Sequence, residues 1–165
     1  MIPDSEKGDS AIGDGVLDGP RPSVRRAGEE WHRAAKVAGS TVAMFIDGSI
    51  PGADMYGGVN VLAPGAVLPV HWHPVGELQF ILSGTGVTVD RNGAASPIGP
   101  HSVIFAPAGR NGAHGFTNTG LVPLSILFVY PSPGGAAPDF NLLADDVSSS
   151  ALDSGPIGSP SLESD

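Results

Sequence analysis

The chain has 165 residues, a formal net charge of −9 and no cysteine. This length suits one domain with a sizeable core, and the lack of cysteine excludes a disulfide framework, a thiolate nucleophile and cysteine-based zinc binding. The basic residues do not cluster, no run of 18 apolar residues occurs, and the N-terminus lacks a basic start before an apolar run. We therefore expect no nucleic-acid partner, no membrane partner and no secretion signal, and we expect a cytoplasmic protein.

The acidic residues are concentrated at the two ends of the chain. Seven of the seventeen fall in residues 1–30 and six in residues 139–165, so the middle is nearly neutral. The ends are also rich in glycine, serine and proline and lack hydrophobic periodicity. The composition predicts disordered tails at residues 1–22 and 147–165 and one domain at 23–146, with its core at 55–131.

The first predicted element is a short helix within residues 29–38. Its apolar residues, Trp31, Ala34, Ala35 and Ala38, recur at the spacing of one helical face, and Gly39 follows them. Short alternating segments bounded by turn residues come next, and they predict strands at 41–46, 55–62, 66–72, 77–82, 86–89, 102–105, 114–117 and 124–130. Because no long helix interrupts this series, the pattern favours an antiparallel all-β sandwich or barrel over a parallel sheet.

Two histidines on one of these strands carry the first functional signal. Side chains alternate between the faces of a strand, so His71 and His73 point the same way. A tight turn at residues 74–76 allows the next strand to bring the carboxylate of Glu77 beside the two imidazoles. One hairpin therefore offers three metal-binding side chains.

This hairpin resembles the first signature motif of the cupin superfamily, G(X)5HXH(X)3E(X)6G. Gly65, His71, His73, Glu77 and Gly84 fill every fixed position of that motif. The motif is far more specific than two histidines alone.

The second cupin motif, G(X)5PXG(X)2H(X)3N, is matched in part. Pro107, Gly109, His114 and Asn118 correspond to it, and the spacing from the histidine to the asparagine is kept. Four residues, instead of the two of the motif, separate Gly109 from His114, and His101 stands where the motif has its first glycine. These differences indicate altered loops at the mouth of the site. Asn118 is interpreted as a residue that fixes the following loop.

The resemblance implies a fold, a cofactor and an assembly. The fold is an all-β double-stranded β-helix, the cupin jelly roll. The metal ligands are His71, His73, Glu77 and His114, and they hold one divalent transition metal. Iron is favoured, with manganese, nickel, zinc or copper as alternatives. The resemblance also implies a homodimer and a small-molecule substrate.

Further side chains near the barrel are candidates for catalysis or substrate binding. Glu77 itself and His101 are the candidate acid or base groups, although an ordinary strand-edge histidine would explain His101. The substrate-binding candidates are Gln79, Arg110, Tyr56 and Phe116. Three of them have a simpler explanation. Gln79 would be a polar residue satisfied within the barrel, Arg110 a solvated loop residue, and Phe116 a core residue.

The donor set suggests a class of reaction. Three neutral imidazoles and one carboxylate leave a divalent ion with one positive charge and, if it is octahedral, two open positions, which suits a bidentate anion. We expect an oxygenase-type oxidoreductase acting on a small oxygenated organic molecule. The alternatives are a metal-dependent isomerase or lyase, and a non-catalytic module that binds a metal or a small molecule.

Overall fold

Strands dominate this protein. The computed structural model describes residues 32–34 and 37–143. The strands, β1 to β11 in chain order, are His32–Ala34, Ser40–Ile46, Met55–Leu62, Val67–Trp72, Glu77–Ser83, Gly86–Asp90, Ala95–Ile98, Val103–Ala106, His114–Thr117, Leu124–Pro131 and Asn141–Leu142. All eight predicted strands are present and begin and end within a residue of expectation. The predicted tails, 1–22 and 147–165, lie outside the described residues.

The strands form two antiparallel sheets. Sheet A has the order β1-β2-β3-β10-β5-β8, and sheet B has the order β11-β4-β9-β6-β7. From β3 to β6, and again from β7 to β11, successive strands alternate between the two sheets, so the chain winds around a common interior. This arrangement confirms the predicted double-stranded β-helix. In the described part of the chain, no helix has the length and apolarity that a membrane crossing needs.

The two sheets enclose an apolar core at one end of the barrel. Ile81 lies opposite Ile126 in sheet A, and Leu68 lies opposite Phe116 in sheet B. The buried cluster consists of Leu62, Leu68, Ile81, Ile98, Phe116, Leu124 and Ile126. Each such side chain stabilises the fold by about 1.5–3 kcal/mol when it leaves water. The core therefore gives the sheets a rigid base beneath the functional residues.

The predicted N-terminal helix is wrong where it meets described residues. His32–Ala34 forms β1 and pairs antiparallel with β2, with His32 opposite Ala43. A helix as short as the predicted one is marginal by itself, whereas a strand at the edge of β2 gains ladder hydrogen bonds. Residues 29–31, 35 and 36 lie outside the described residues.

Besides β1, two short strands were not predicted from the sequence. Strand β7, Ala95–Ile98, contains Pro97 and lies at the edge of sheet B, which is where a sheet tolerates a proline. Strand β11 has two residues and pairs with β4, with Asn141 opposite Trp72 and Leu142 opposite His71. Both are too short to produce a periodic pattern. Strand β7 is defined by its pairing with the preceding strand β6, and β11 by its pairing with the distant strand β4.

The glycines of the first motif occupy turns that require them. Gly65 has φ 78° and Gly84 has φ 80°, which is the left-handed region that glycine enters without strain. A side chain at Gly84 would also place its Cβ 2.4 Å from the carbonyl oxygen of Pro123. These two turns bracket β4 and β5, which lie in different sheets and do not pair with each other. The hairpin predicted for the histidines and the glutamate is therefore wrong, because the segment between the two strands carries the chain from sheet B to sheet A.

Candidate metal centre

His71 and His114 face each other across β4 and β9. The register of this pair shifts between Leu68 and His71, which marks a β-bulge, and His71 then lies opposite His114. Without the extra residue, Val70 would lie opposite His114 and His71 would point to the other face of the sheet. The bulge therefore brings the two imidazoles together, with ring centroids 4.6 Å apart.

Two sequence features allow this bulge. Pro69 lies in the bulge and has no N–H to leave unpaired. On the facing strand, Gly115 permits a close approach: a Cβ there would lie 2.8 Å from the carbonyl oxygen of Leu68 and 3.0 Å from the backbone nitrogen of Val70. The glycine beside His114 thus lets the bulged backbone of β4 pack against β9.

Glu77 reaches the same place from the other wall of the barrel. It is the first residue of β5 in sheet A, whereas His71 and His114 belong to sheet B. The relative exposures are 2% for Glu77, 2% for His71 and 5% for His114. Burying so many ionisable groups is costly unless they are paired or bind a cation.

The three histidines of the motifs share one orientation. Each Nδ1 atom lies against a backbone carbonyl oxygen, at 2.8 Å from Pro69 for His71, 2.7 Å from Asp139 for His73 and 2.8 Å from Gly112 for His114. A carbonyl only accepts, so each Nδ1 carries the hydrogen and donates it. This holds the ring and leaves Nε2 as the atom that can bind a metal, as in most histidine metal sites.

Three side chains bring their donor atoms into one cluster. One ligand atom each from His71, Glu77 and His114 lies within 4.8 Å of the others. Oε2 of Glu77 is 3.0 Å from Nε2 of His114, and among the described residues it has no hydrogen-bond partner of good geometry. A buried carboxylate oxygen left in this way beside imidazole nitrogens fits a divalent cation, and oxygen plus imidazole suits a transition metal.

His73 lies at the margin of this cluster. Its Nε2 is 3.8 Å from Oε2 of Glu77, and its ring is 5.1 Å from that of His71 between centroids. The hydroxyl of Tyr130 is 3.0 Å from the same Nε2 atom. The structure therefore brings together three of the four predicted ligands and places His73 beside them with its nitrogen hydrogen-bonded to a tyrosine.

The protonation states of His71, His73 and Glu77 suit metal binding. Burial, together with the nearby His114 ring, lowers the pKa of His71 to about 4, and burial lowers the pKa of His73. Burial alone would raise the pKa of Glu77, but its contacts with His114 and Tyr130 outweigh this and hold that pKa below its ordinary value. Conversely, burial is outweighed at His114 by Glu77, which raises the pKa of His114. Neutral imidazoles at His71 and His73 and a charged carboxylate are the forms that bind a cation.

Two predicted substrate-binding residues lie on the inner face of the barrel. Nε2 of Gln79 is 2.9 Å from Nε2 of His114, and Oε1 of Gln79 has no hydrogen-bond partner among the described residues. Phe116 belongs to the buried core and its ring is 5.7 Å from that of His114. Asn118 holds the next loop by donating to the carbonyl oxygens of Leu62 and Val122.

The structure does not bring the other three candidates into the donor cluster. Tyr56 lies beside Tyr130, with ring centroids 6.3 Å apart. Arg110 is exposed on the 3-10 turn Arg110–Gly112. His101 is exposed, has φ 72° and lies near Phe80, whose side chain alternates with those of buried Gln79 and Ile81. His101 is therefore on the outer side of β5.

Sequence reasoning missed three residues that support the histidines. Tyr130 shares the inner face of β10 with Ile126, so strand alternation had already indicated its direction. The backbone of Asp139 accepts the Nδ1 hydrogen of His73, and Phe140 stacks on His71 with centroids 4.1 Å apart and planes 20° apart. No local pattern marks the last two residues, because they reach the site through the pairing of β11 with β4.

Comparisons with known proteins agree with this geometry. Residues 58–130 match the family model described as a cupin domain. No curated protein matches the sequence significantly.

Solved structures match the fold at low identity. A polyketide cyclase, RemF, from Streptomyces resistomycificus has a TM-score of 0.59 and 22% identity, with 73% of this chain and 86% of that chain covered. An uncharacterised double-stranded β-helix protein from Klebsiella pneumoniae has a TM-score of 0.57 and 21% identity, with 73% and 98% covered. A sugar phosphate isomerase of the cupin superfamily from Silicibacter pomeroyi has a TM-score of 0.51 and 26% identity, with 58% and 60% covered. Taken with the motifs and the barrel, these findings identify residues 58–130 as a cupin domain.

Proposed function

We propose that this cupin binds one divalent transition metal, iron in first place, through His71, His73, Glu77 and His114, and that it is an oxygenase-type enzyme acting on a small oxygenated organic molecule. The observation that carries this proposal is the buried cluster of imidazole nitrogens beside Oε2 of Glu77. The Nδ1 atom of each histidine of the motifs donates a hydrogen bond to a backbone carbonyl oxygen, and this orients the ring. His73 completes the set by a small movement of its ring, since its Nε2 is already 3.8 Å from that oxygen.

The charge and the surroundings of the cluster support the proposed substrate class. The metal would act as a Lewis acid and, in the case of iron, as a redox centre toward the substrate and oxygen. With one carboxylate and neutral imidazoles, the centre keeps one positive charge and favours a substrate that offers an anionic oxygen, such as an enolate or an α-hydroxy carboxylate. Gln79 is close enough to His114 to contact such a substrate.

The walls around the donor atoms favour oxygen chemistry. Phe116 and Tyr130 are buried beside the histidines, and Phe140 covers His71. Aromatic side chains exclude water and accommodate an apolar gas molecule. The second candidate is a metal-dependent isomerase or lyase, and it is supported by the likeness to the sugar phosphate isomerase at 26% identity. A non-catalytic binding module is the third.

One set of measurements separates these functions. Metal analysis of protein purified without added metal should find about one transition-metal ion per chain. The variant His71→Ala should lose the metal, and His101→Ala, which changes a histidine outside the donor cluster, should keep it. Oxygen uptake with α-hydroxy acids, diketones and flavonols should require both metal and oxygen. Turnover under nitrogen would indicate the isomerase or lyase, and a ligand-dependent thermal shift without turnover would indicate the binding module.

We also propose a cytoplasmic homodimer that pairs through the outer side of sheet A. Leu78 and Phe105 lie opposite each other on β5 and β8, and Leu78, Val103 and Phe105 are 50%, 63% and 68% exposed. Clustered exposed apolar side chains mark interaction surfaces. The variant Phe105→Glu should give a monomer in light scattering after gel filtration if the wild type is a dimer.

A further inference from the structure

Tyr130 carries an inference that goes beyond the four ligands. Its hydroxyl is 3.0 Å from Nε2 of His73, and Nδ1 of His73 is 2.7 Å from the carbonyl oxygen of Asp139. Because that carbonyl can only accept, the hydrogen of the neutral imidazole is on Nδ1, and Nε2 presents its lone pair. The Tyr130 hydroxyl is therefore the donor in its contact with His73.

The acceptor of this hydrogen bond is the atom with which His73 would bind a metal. A lone pair cannot accept a hydrogen bond and bind a metal at the same time. Tyr130 also lies within hydrogen-bonding reach of the Glu77 carboxylate, which is another ligand of the proposed set. A carboxylate has two oxygens, so a hydrogen bond to Glu77 leaves one of them free for a metal, whereas the hydrogen bond to Nε2 of His73 occupies the one lone pair that this imidazole offers. The hydroxyl thus competes with the metal in the metal-free protein.

The same hydroxyl loses its acceptor on His73 once a metal binds to that nitrogen. Tyr130 is only 6% exposed, and a buried hydroxyl that loses its acceptor is destabilising unless another group accepts its hydrogen. Phe128 and Tyr56 are its aromatic neighbours, at centroid distances of 5.6 and 6.3 Å, and the phenyl ring of Phe128 offers no oxygen. A substrate oxygen beside His73 would accept the hydrogen.

We propose that Tyr130 determines substrate specificity: its hydroxyl is displaced from His73 when the metal binds and then donates to an oxygen of the substrate, which selects small oxygen anions such as α-hydroxy carboxylates. This inference rests on the proposed function, because it requires the metal to bind at His73. It assigns to one residue two effects of opposite sign. The hydroxyl weakens metal binding and strengthens substrate binding.

The test compares Tyr130→Phe with Thr88→Val in the full chain. Both changes remove a barrel hydroxyl at nearly constant shape, and the hydroxyl of Thr88 donates to the carbonyl of Gly115 and not to a ligand side chain. Calorimetric titration of the metal-free proteins with Co²⁺ should show Tyr130→Phe binding about two- to tenfold more tightly than wild type. Titration of the Co²⁺-loaded proteins with glycolate, followed by the visible cobalt spectrum, should show Tyr130→Phe binding about two- to tenfold more weakly. Thr88→Val should match wild type in both.

A second measurement does not depend on the affinities. In ¹⁵N-histidine NMR spectra of the metal-free protein, the Nε2 signal of His73 should move in Tyr130→Phe toward that of an imidazole without a hydrogen bond, whereas the signal of His71 should stay in place. An unchanged His73 signal would overturn the inference.

The affinity results distinguish the two levels of the proposal. If wild type binds Co²⁺ and Tyr130→Phe weakens both metal and glycolate, or changes neither, the role of Tyr130 is refuted and the metal site stands. If wild type binds no Co²⁺, the proposed function fails first and the inference falls with it.

Discussion

The variant Gly115→Ala tests whether the bulge in β4 really aligns the metal ligands. A methyl group at this position would lie 2.8 Å from the carbonyl oxygen of Leu68, 3.0 Å from the nitrogen of Val70 and 3.2 Å from the carbonyl carbon of Pro69. All three are backbone atoms of β4, so the clash cannot be relieved by a change of rotamer. The strands must separate, and the first pair affected is His71 opposite His114.

We expect two measurable consequences of Gly115→Ala. Overpacking of this kind reduces the free energy of unfolding by about 1–3 kcal/mol, which urea titration of the metal-free protein would detect. Displacing a residue that positions metal ligands weakens metal binding by about 10- to 100-fold, which calorimetric titration with Co²⁺ would detect.

Gly99→Ala is the matched control for this variant. A methyl group there would meet only Cγ2 of Thr85, at 3.7 Å, and Gly99 does not have positive φ. Its effect on the free energy of unfolding should stay within about 0.5 kcal/mol. If Gly115→Ala behaves like Gly99→Ala in both assays, the close approach of β4 and β9 does not control the site and the reasoning is refuted.

Three further predictions concern protonation, backbone strain and the aromatic cover. Burial lowers the pKa of His71 from 6.5 to about 4 in the folded chain, so the unfolded chain binds more protons between these two values. The contribution of His71 to the free energy of unfolding should therefore fall by about 2 kcal/mol from pH 7 to pH 5. Urea titrations at the two pH values should show a smaller loss for His71→Asn than for wild type, and an equal loss would contradict this assignment. His101 is exposed and has φ 72°, in the left-handed region that is strained for residues other than glycine. The variant His101→Gly should therefore raise the free energy of unfolding by about 1 kcal/mol. A lower melting temperature of this variant would show that the histidine side chain stabilises the turn. Phe140 stacks on the ring of His71 and is 48% exposed. The variant Phe140→Ala should weaken Co²⁺ binding about tenfold, whereas its melting temperature should change little. An unchanged Co²⁺ affinity would show that Phe140 does not support His71 in metal binding.

The site depends on the packing of two sheets, because its residues lie on strands of both. Glu77 belongs to sheet A, and His71 and His114 belong to sheet B. The distance between their donor atoms therefore depends on how the apolar core spaces the sheets, and not on the connection between β4 and β5 alone. Substitutions in that core should affect metal affinity even where they touch no ligand.

The strands and the first motif could be predicted because their signals are local. Alternation along β4 and one residue beyond its end predicts that His71 and His73 share a face, and both side chains are buried. The turn glycines Gly65 and Gly84 are marked by their spacing in the motif, and both have positive φ. The failure at His32–Ala34 has the opposite cause. Three alanines at helical spacing are a weak local preference, and the ladder offered by the edge of β2 outweighs it.

The amino-acid sequence by itself determined the all-β fold, the strand positions and the identity of the metal-binding residue types, because a period of two and a fixed motif spacing act within a few residues. The tertiary structure alone decided how these groups are used. Tyr130 meets His73 across 57 positions of the chain, and Asp139 meets it across 66. The bulge that sets His71 against His114 likewise requires two strands to pack. Such contacts follow from the closure of the barrel, and no local pattern encodes them.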